Sequence, residues 1–255
     1  MVDVRDRTGE YLVLRARNYR EQDRLLTVAG PESGPEAVIA RGARKPGHAL
    51  SACAQPFCRA TLTLSPPKGG VSFLKEGRQE ESFLPPGGDV ARFAYLSYFS
   101  ELLLAGWPEN RPEPGLYALA RAAFVMLALG DDPERTARCF ELRFLDQLGL
   151  LPPLSACAVC GRLPGSGDGR SFRLSPRRGQ LLCAACCAEQ GEGGPLLSPG
   201  AVMLLERLRS LPLSRVSQLR LSPGQNRELE QALDPFLRYH LDYAGRAKDI
   251  LRQLL

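Results

Sequence analysis

The first third of the chain alternates apolar and polar side chains over short distances. Five segments of four to eight residues show this alternation, and the connectors between them are rich in Gly and Pro. Such alternation is typical of β-strands with one buried face. The segments are EYLVLRAR at 10–17, LLTVA at 25–29, EAVIAR at 36–41, RATLTL at 59–64 and VSFL at 71–74. We predict that these five strands close into a small barrel.

The period changes to that of helices after the PPGG sequence at 85–88. Apolar residues then recur at helical spacing in segments that predict helices at 90–106, 116–129, 133–148, 200–211 and 226–254. Pro235 is expected to kink or split the last helix, because proline removes a backbone donor. The predicted fold is therefore α+β, with a five-stranded barrel domain at 1–84 and a helical domain at 85–255 that carries an insert at about 155–190.

The insert is marked by two C-x-x-C pairs, Cys157 with Cys160 and Cys183 with Cys186, separated by 22 residues. This spacing is typical of a tetrahedral zinc site, and four cysteine ligands leave no open position for substrate. The expected cofactor is therefore a structural Zn²⁺. Cys187 adjoins Cys186 and is the alternative fourth ligand, although the C-x-x-C spacing favours Cys186. Ordinary buried thiols or two disulfides are the competing interpretation.

The distribution of charged residues gives a second indication of function. The chain of 255 residues carries a formal charge of +5, and residues 1–75 hold 12 Lys and Arg against 7 Asp and Glu. Arginine supplies 29 of the 33 basic residues, and its planar fork suits phosphate and stacks on bases. A high-GC genome would also favour arginine over lysine, but it would not place the excess in the barrel.

The basic residues of the barrel, with one tyrosine, form a candidate nucleic-acid surface. Its members are Arg15, Arg17, Tyr19, Arg20, Arg24, Arg41, Arg44 and Lys45. Strand alternation places Arg15 and Arg17 on one face and Leu12 and Leu14 on the other. The competing interpretation is a solvated charged face.

A possible second basic surface lies between the cysteine pairs, at Arg173, Arg177 and Arg178. It would contact DNA or a partner protein. Alternatively, these arginines stabilise the negative charge of a zinc ion with four thiolates.

Catalytic motifs are absent from the sequence. There is no phosphate-binding loop, nucleophile elbow or HExxH pair, and the only histidines are His48 and His240. We therefore expect a protein that is not an enzyme.

The sequence has no apolar segment of membrane-spanning length, and its N-terminus is charged. We therefore expect the protein in the cytoplasm, with Cys53, Cys58 and Cys139 as reduced thiols.

Several segments resemble the RecO family of bacterial recombination mediators. They are NYREQDRLLTV at 18–28, VIARGARKP at 38–46, FELRFLDQLGLLP at 140–152, CAVCG at 157–161 and GQLLCAAC at 179–186. The segment at 236–251 is similar to the closing helix of the family, although Asp249 stands where the family often has serine.

This resemblance implies an OB-fold, a helical domain and an inserted zinc motif with the four cysteines as ligands. It also implies binding of single- and double-stranded DNA, annealing of complementary strands and location at the nucleoid. With RecR, such proteins help RecA load onto strands coated by single-stranded DNA-binding protein, whose acidic tail some members recognise. The basic positions of the family fall on Arg41, Arg44 and Lys45. A zinc-ribbon transcription or translation factor and a zinc hydrolase are the alternatives.

Overall fold

The computed structural model describes residues 6–167, 169–241, 243 and 245–254. Five strands form a closed barrel with the neighbour order β1-β2-β3-β5-β4. Their bounds are β1 Arg7–Tyr19, β2 Asp23–Gly30, β3 Gly34–Ala40, β4 Cys58–Leu64 and β5 Val71–Ser82. All pairs are antiparallel except β3 with β5. The predicted five-stranded OB-like barrel is confirmed.

The barrel interior is filled by alternate residues of each strand, such as Val13 on β1 and Leu26 and Val28 on β2. Packing leaves no space for a side chain at Gly77 of β5, where a Cβ atom would lie 2.6 Å from the Cys53 sulfur. The apolar alternation read from the sequence therefore corresponds to the inward faces of the strands.

One expectation about β1 is wrong. Tyr11 and Val13 belong to the barrel core, and a bulge between Val13 and Arg15 then shifts the register. Leu12 and Leu14 are buried but lie outside this core. They share the outer side of β1 with Arg15, because the extra residue of a bulge breaks the strict alternation of faces.

Eight helices and a second sheet follow the barrel in the described part of the chain. A 3₁₀ turn at Pro86–Gly88 precedes α1 Val90–Gly106, α2 Pro114–Ala128, α3 Pro133–Gln147, β6 Phe172–Ser175, β7 Gln180–Cys183, α4 Ala184–Glu189, α5 Pro199–Ser210, α6 Leu213–Val216, α7 Pro223–His240 and α8 Arg246–Leu254. Proline at the first position begins α2, α3, α5 and α7, where its missing amide is not needed. Side chains of Asp132, Ser198 and Ser222 cap the last three.

The last predicted helix is two helices, but the break is not at proline. Pro235 lies inside α7, which continues to His240. Leu241 is extended, and Gly245 has a φ of 66° just before α8. The break therefore falls between the end of α7 and the start of α8, and Gly245 accepts the left-handed conformation there.

Packing divides the chain into two compact units. One contains the barrel, α1, α2 and α8, and the other spans Gly130–Ala244. This division differs from the predicted one at residue 84, which follows the change of periodicity. In the second unit, α3 packs with α5 and α7, and Arg143 of α3 donates to the carbonyls of Leu208 and Leu211.

Candidate metal centre and nucleic-acid interface

The first cysteine pair lies in a tight turn. The Gly161 amide donates to the Cys157 carbonyl at 2.9 Å, and Gly161 has a φ of 73°, which glycine adopts without steric penalty. The Ala158 amide donates to the carbonyl of Leu181 on β7, also at 2.9 Å. The turn that carries Cys157 and Cys160 is therefore held against the β6–β7 hairpin.

The second pair lies where the hairpin leads into α4. Cys183 ends β7 and Cys186 lies in the first turn of α4. Cys187 is also buried, but its thiol is near the Leu182 carbonyl, at 3.9 Å. The cysteine cluster consists of Cys157, Cys160, Cys183 and Cys186. Cys187 lies outside it, which favours Cys186 as the fourth ligand.

The four sulfurs of the cysteine cluster lie within 4.8 Å of one another. The Cys160 and Cys183 sulfurs are 3.6 Å apart, well beyond the roughly 2 Å of a disulfide bond. Bonds of about 2.3 Å from one zinc ion place tetrahedral sulfurs at about this separation. The donor set and its spacing therefore fit one thiophilic metal ion, and all four thiols are free, which argues against the two-disulfide interpretation.

The four thiols of the cysteine cluster do not ionise alike. Burial opposes ionisation of Cys157, but amide hydrogen bonds from Cys160, Cys183 and Val159 outweigh it and lower the pKa of Cys157 to about 6. Burial and the neighbouring sulfurs raise the pKa of Cys186. Four thiolates at this distance repel one another, and a bound divalent cation removes that penalty.

The arginines of the cysteine segment do not form one exposed surface. Arg173 is buried, and its guanidinium donates to the carbonyls of Glu192, Gly194 and Pro195. Arg177 and Arg178 are both exposed, and Arg178 pairs with the Glu192 carboxylate at 3.1 Å. Arg173 therefore cannot belong to the possible second basic surface, because its donors are used inside the segment.

The barrel brings several of the predicted cations together at one end. The guanidinium of Arg44 donates to the carbonyls of Arg20 and Glu21, at 3.3 and 2.9 Å, and Arg20 lies over the Tyr19 ring at 5.3 Å. Lys45 follows in the same exposed turn. We call Tyr19, Arg20, Arg44 and Lys45 the tip cluster.

A row of side chains crosses the outer face of the barrel. Arg17 pairs with Leu25, Leu25 with Ile39 and Ile39 with Phe73, and directly paired residues project from the same face. The three apolar members are partly exposed. The Arg41 guanidinium lies over the Phe73 ring at 4.4 Å. We call Arg17, Leu25, Ile39, Phe73 and Arg41 the outer row.

Arg24 has a different environment. It pairs with Ala40, a residue of the barrel core, and its guanidinium donates to the Ala54 carbonyl at 2.8 Å. It therefore closes the mouth of the barrel and does not extend the outer row.

Sequence reasoning predicted Arg15 and Arg17 as surface cations but missed Arg246, which lies near them. Arg15 and Arg17 line a cavity of about 390 Å³ between β1, α1 and α8, and Arg246 at the start of α8 lines it too. The Glu101 carboxylate accepts the amides of Arg246 and Ala247 at 3.1 and 3.0 Å. The basic start of the closing helix was visible in the sequence, but its position beside β1 was not.

Comparisons with known proteins agree with this architecture. A family model described as Recombination protein O N terminal matches residues 6–83, and one described as Recombination protein O C terminal matches residues 87–248. The chain belongs to the RecO family. The two matches meet between β5 and α1, close to the predicted boundary at residue 84.

Individual RecO relatives match over nearly the full chain. The DNA repair protein RecO of Bacillus pumilus is 32% identical over 249 residues, which cover 96% of this chain and 93% of the relative. The DNA repair protein RecO of Heliobacterium modesticaldum is 34% identical over 235 residues, or 90% of this chain and 83% of the relative. Within the described residues, no helix is both long and apolar enough to span a membrane.

Proposed function

We propose that this protein binds single- and double-stranded DNA, anneals complementary strands and acts with RecR to load RecA onto DNA coated by single-stranded DNA-binding protein. The observation that carries this proposal is the outer row with the adjoining tip cluster. Arg20 and Arg41 lie over aromatic rings and Arg44 donates to backbone carbonyls. No cation of either group is ion-paired with a carboxylate among the described residues. The positive charge is therefore available to phosphate oxygens.

The arrangement suits strands held without sequence readout. Arginine neutralises phosphates, whereas Phe73 and the apolar side chains beside it offer a surface on which bases can stack. Two phosphate backbones bound on one positive surface repel each other less, and their bases remain free to pair. This mechanism needs no nucleotide hydrolysis and no catalytic group, so we propose a mediator and not an enzyme.

We propose that the cysteine cluster holds one Zn²⁺ in a structural role. A zinc ion bound there would join the turn at 157–161 to the hairpin and to α4. Four thiolates fill its coordination sphere, so a zinc hydrolase is disfavoured. Two further proposals rest on family membership. They are recognition of the acidic tail of single-stranded DNA-binding protein and a cytoplasmic, nucleoid-associated location.

The test is annealing of complementary oligonucleotides coated with single-stranded DNA-binding protein, measured without ATP across a salt series. We expect accelerated annealing that declines steeply as salt rises. Replacement of Arg41, Arg44 and Lys45 by alanine should weaken binding to unrelated sequences alike and reduce the salt slope for single strands by about 2.

The matched control replaces Lys68, Lys75 and Arg78, which removes the same charge from other parts of the barrel. Lys75 and Arg78 are paired with Asp6 and Glu80, so their loss should have little effect on DNA binding. Equal loss in both triple variants would show only an effect of net charge. No acceleration and no binding to the coated strand would favour a zinc-ribbon interaction protein instead.

A further inference from the structure

The cavity beside β1 combines positive charge with apolar walls. Arg15 and Arg17 project from β1, Arg246 begins α8, and Glu101 is the acidic residue in the lining. Both oxygens of Glu101 are used by the amides that begin α8. Three arginines thus line the cavity together with one carboxylate that is already hydrogen-bonded, so the lining carries a net positive charge.

The apolar part of the lining is exposed to an unusual degree. Phe93 of α1 is 44% exposed and Ile250 of α8 is 52% exposed, although both are large apolar side chains. Phe93 packs edge-on against Phe57, with ring centroids 5.3 Å apart, so its ring is held in place. Exposed apolar residues at a concave site mark a binding surface.

Arg17 connects this cavity to the outer row, because it belongs to both. A strand bound along the outer row would therefore reach the cavity without crossing a neutral surface. The Arg15 guanidinium is partly withdrawn from solvent, and burial together with the neighbouring Arg17 lowers its pKa. A bound anion would stabilise the charged form of Arg15 in this environment.

We propose that the cavity binds one nucleotide of single-stranded DNA, with its phosphate on Arg15, Arg17 and Arg246 and its base against Phe93 and Ile250. The inference rests on the proposed function and extends it to a site formed jointly by the barrel and its packed helices. The volume of about 390 Å³ lies in the range of small-ligand sites. A base paired in a duplex cannot enter it, so the site selects single strands.

The competing occupant is an extended acidic peptide. Pairing of β1 with β4 ends at Leu12, and a peptide strand could approach β1 beyond that point. Continuity with the outer row favours the nucleotide, and the experiment separates the two.

The experiment measures binding of three fluorescent probes to the full chain: oligothymidine, an abasic strand of equal length and charge, and a duplex. Arg246→Ala and Phe93→Ala should each weaken binding of oligothymidine by about fivefold or more, since stacking and phosphate contacts are both lost. Duplex binding should stay within about twofold of wild type. Phe93→Ala should not affect the abasic strand, because that strand has no base to stack.

Arg252→Ala is the matched control, because Arg252 lies on α8 and does not line the cavity. It should bind all three probes like wild type. Melting temperatures of all variants exclude a folding defect, and Arg246→Ala carries the test if Phe93→Ala is unstable.

Oligothymidine binding unchanged in both cavity variants would overturn the inference. If, in that case, replacement of Arg41, Arg44 and Lys45 by alanine weakened DNA binding, the proposed function would stand and only the cavity inference would fail. Equal losses for single strands and duplex would overturn single-strand selection. A fourth probe, a synthetic peptide of aspartate and phenylalanine, tests the competing occupant. If the cavity variants lost binding to this peptide only, the nucleotide inference would be overturned and the cavity assigned to a peptide.

Discussion

The outer face of the barrel and the cysteine segment are both rich in arginine, but they use it in opposite ways. On the barrel, the Arg41 guanidinium lies on an aromatic ring and that of Arg44 on two exposed carbonyls. In the cysteine segment, Arg173 is buried on three carbonyls and Arg178 is paired with Glu192. The comparison teaches that arginine content locates a nucleic-acid surface only where the guanidinium groups remain available.

The two regions also differ in what holds them together. The barrel is a closed ladder of hydrogen-bonded strands around a continuous apolar core. The cysteine segment has only two strands of four residues each and a helix of six residues. A metal ion bound at the cysteine cluster would stabilise such a small unit.

Disruption of the metal site should have the largest effect on stability, and that effect should be confined to the cysteine segment. Cys183→Ser is expected to remove bound zinc and unfold the segment around 157–190, because zinc binding contributes about 10 kcal/mol or more in small zinc domains. Zinc content by atomic absorption and limited proteolysis would measure this. Duplex DNA binding by the barrel should persist.

Cys187→Ser is the matched control, since Cys187 is equally buried but lies outside the cysteine cluster. It should retain one zinc ion per chain. Retention of zinc by Cys183→Ser, or equal loss in both variants, would contradict the assigned ligands.

Removal of a buried arginine should have the next largest effect. Arg173→Ala should lower the free energy of unfolding by about 2–4 kcal/mol, because three carbonyls lose a charged donor. Arg177→Ala, four residues away at an exposed position, should change it by no more than about 0.5 kcal/mol. Urea unfolding measures both. If the Arg173→Ala variant were stably folded but bound DNA more weakly, Arg173 would belong to the DNA-binding surface and not to the internal structure of the segment.

The outer row should respond in the opposite manner, with binding affected and stability preserved. Phe73→Leu keeps an apolar side chain but removes the ring beneath Arg41. Affinity for single-stranded DNA should fall about fivefold or more, since base stacking contributes about 1–3 kcal/mol. Fluorescence anisotropy measures the change, and Phe73→Tyr, which keeps a ring, should bind like wild type. Equal binding by the leucine variant would remove Phe73 from the interface.

The smallest effect concerns the contact between α2 and the barrel. The Tyr117 hydroxyl donates to the Glu10 carboxylate at 2.7 Å. This bond and the nearby Arg59 outweigh burial and lower the pKa of Glu10. Tyr117→Phe should lower the free energy of unfolding at pH 7 by about 1 kcal/mol, as expected for a partly exposed charged hydrogen bond.

The direction of the Glu10 pKa shift determines how the stability lost in Tyr117→Phe depends on pH. A carboxylate with a lowered pKa in the folded state stabilises the fold above its unfolded pKa of about 4.3, and this contribution disappears as pH falls through the folded value. The difference between wild type and Tyr117→Phe should therefore shrink below about pH 4. A double-mutant cycle with Glu10→Gln checks the pairing, and a difference that grows in acid would contradict it.

Some features could be predicted because they depend on neighbours in the sequence. Strand alternation, proline at helix starts and C-x-x-C spacing are local patterns, and they located the strands, most helices and the cysteine cluster. The bulge after Val13 could not be predicted, since it adjusts the register of β1 to its partner β2. For the same reason, the faces assigned to Leu12 and Leu14 were wrong.

The sequence by itself determined the barrel, the helical remainder, the four thiols that can meet at one metal ion and membership of the RecO family. These follow from periodicity, spacing and similarity, which need no knowledge of distant contacts. Only the tertiary structure decided which arginines are available. Arg173 is occupied by carbonyls about twenty residues away, and Arg246 joins Arg15 because α8 packs beside β1. The function of a charged side chain depends on its partners in space, and those are set when the chain folds.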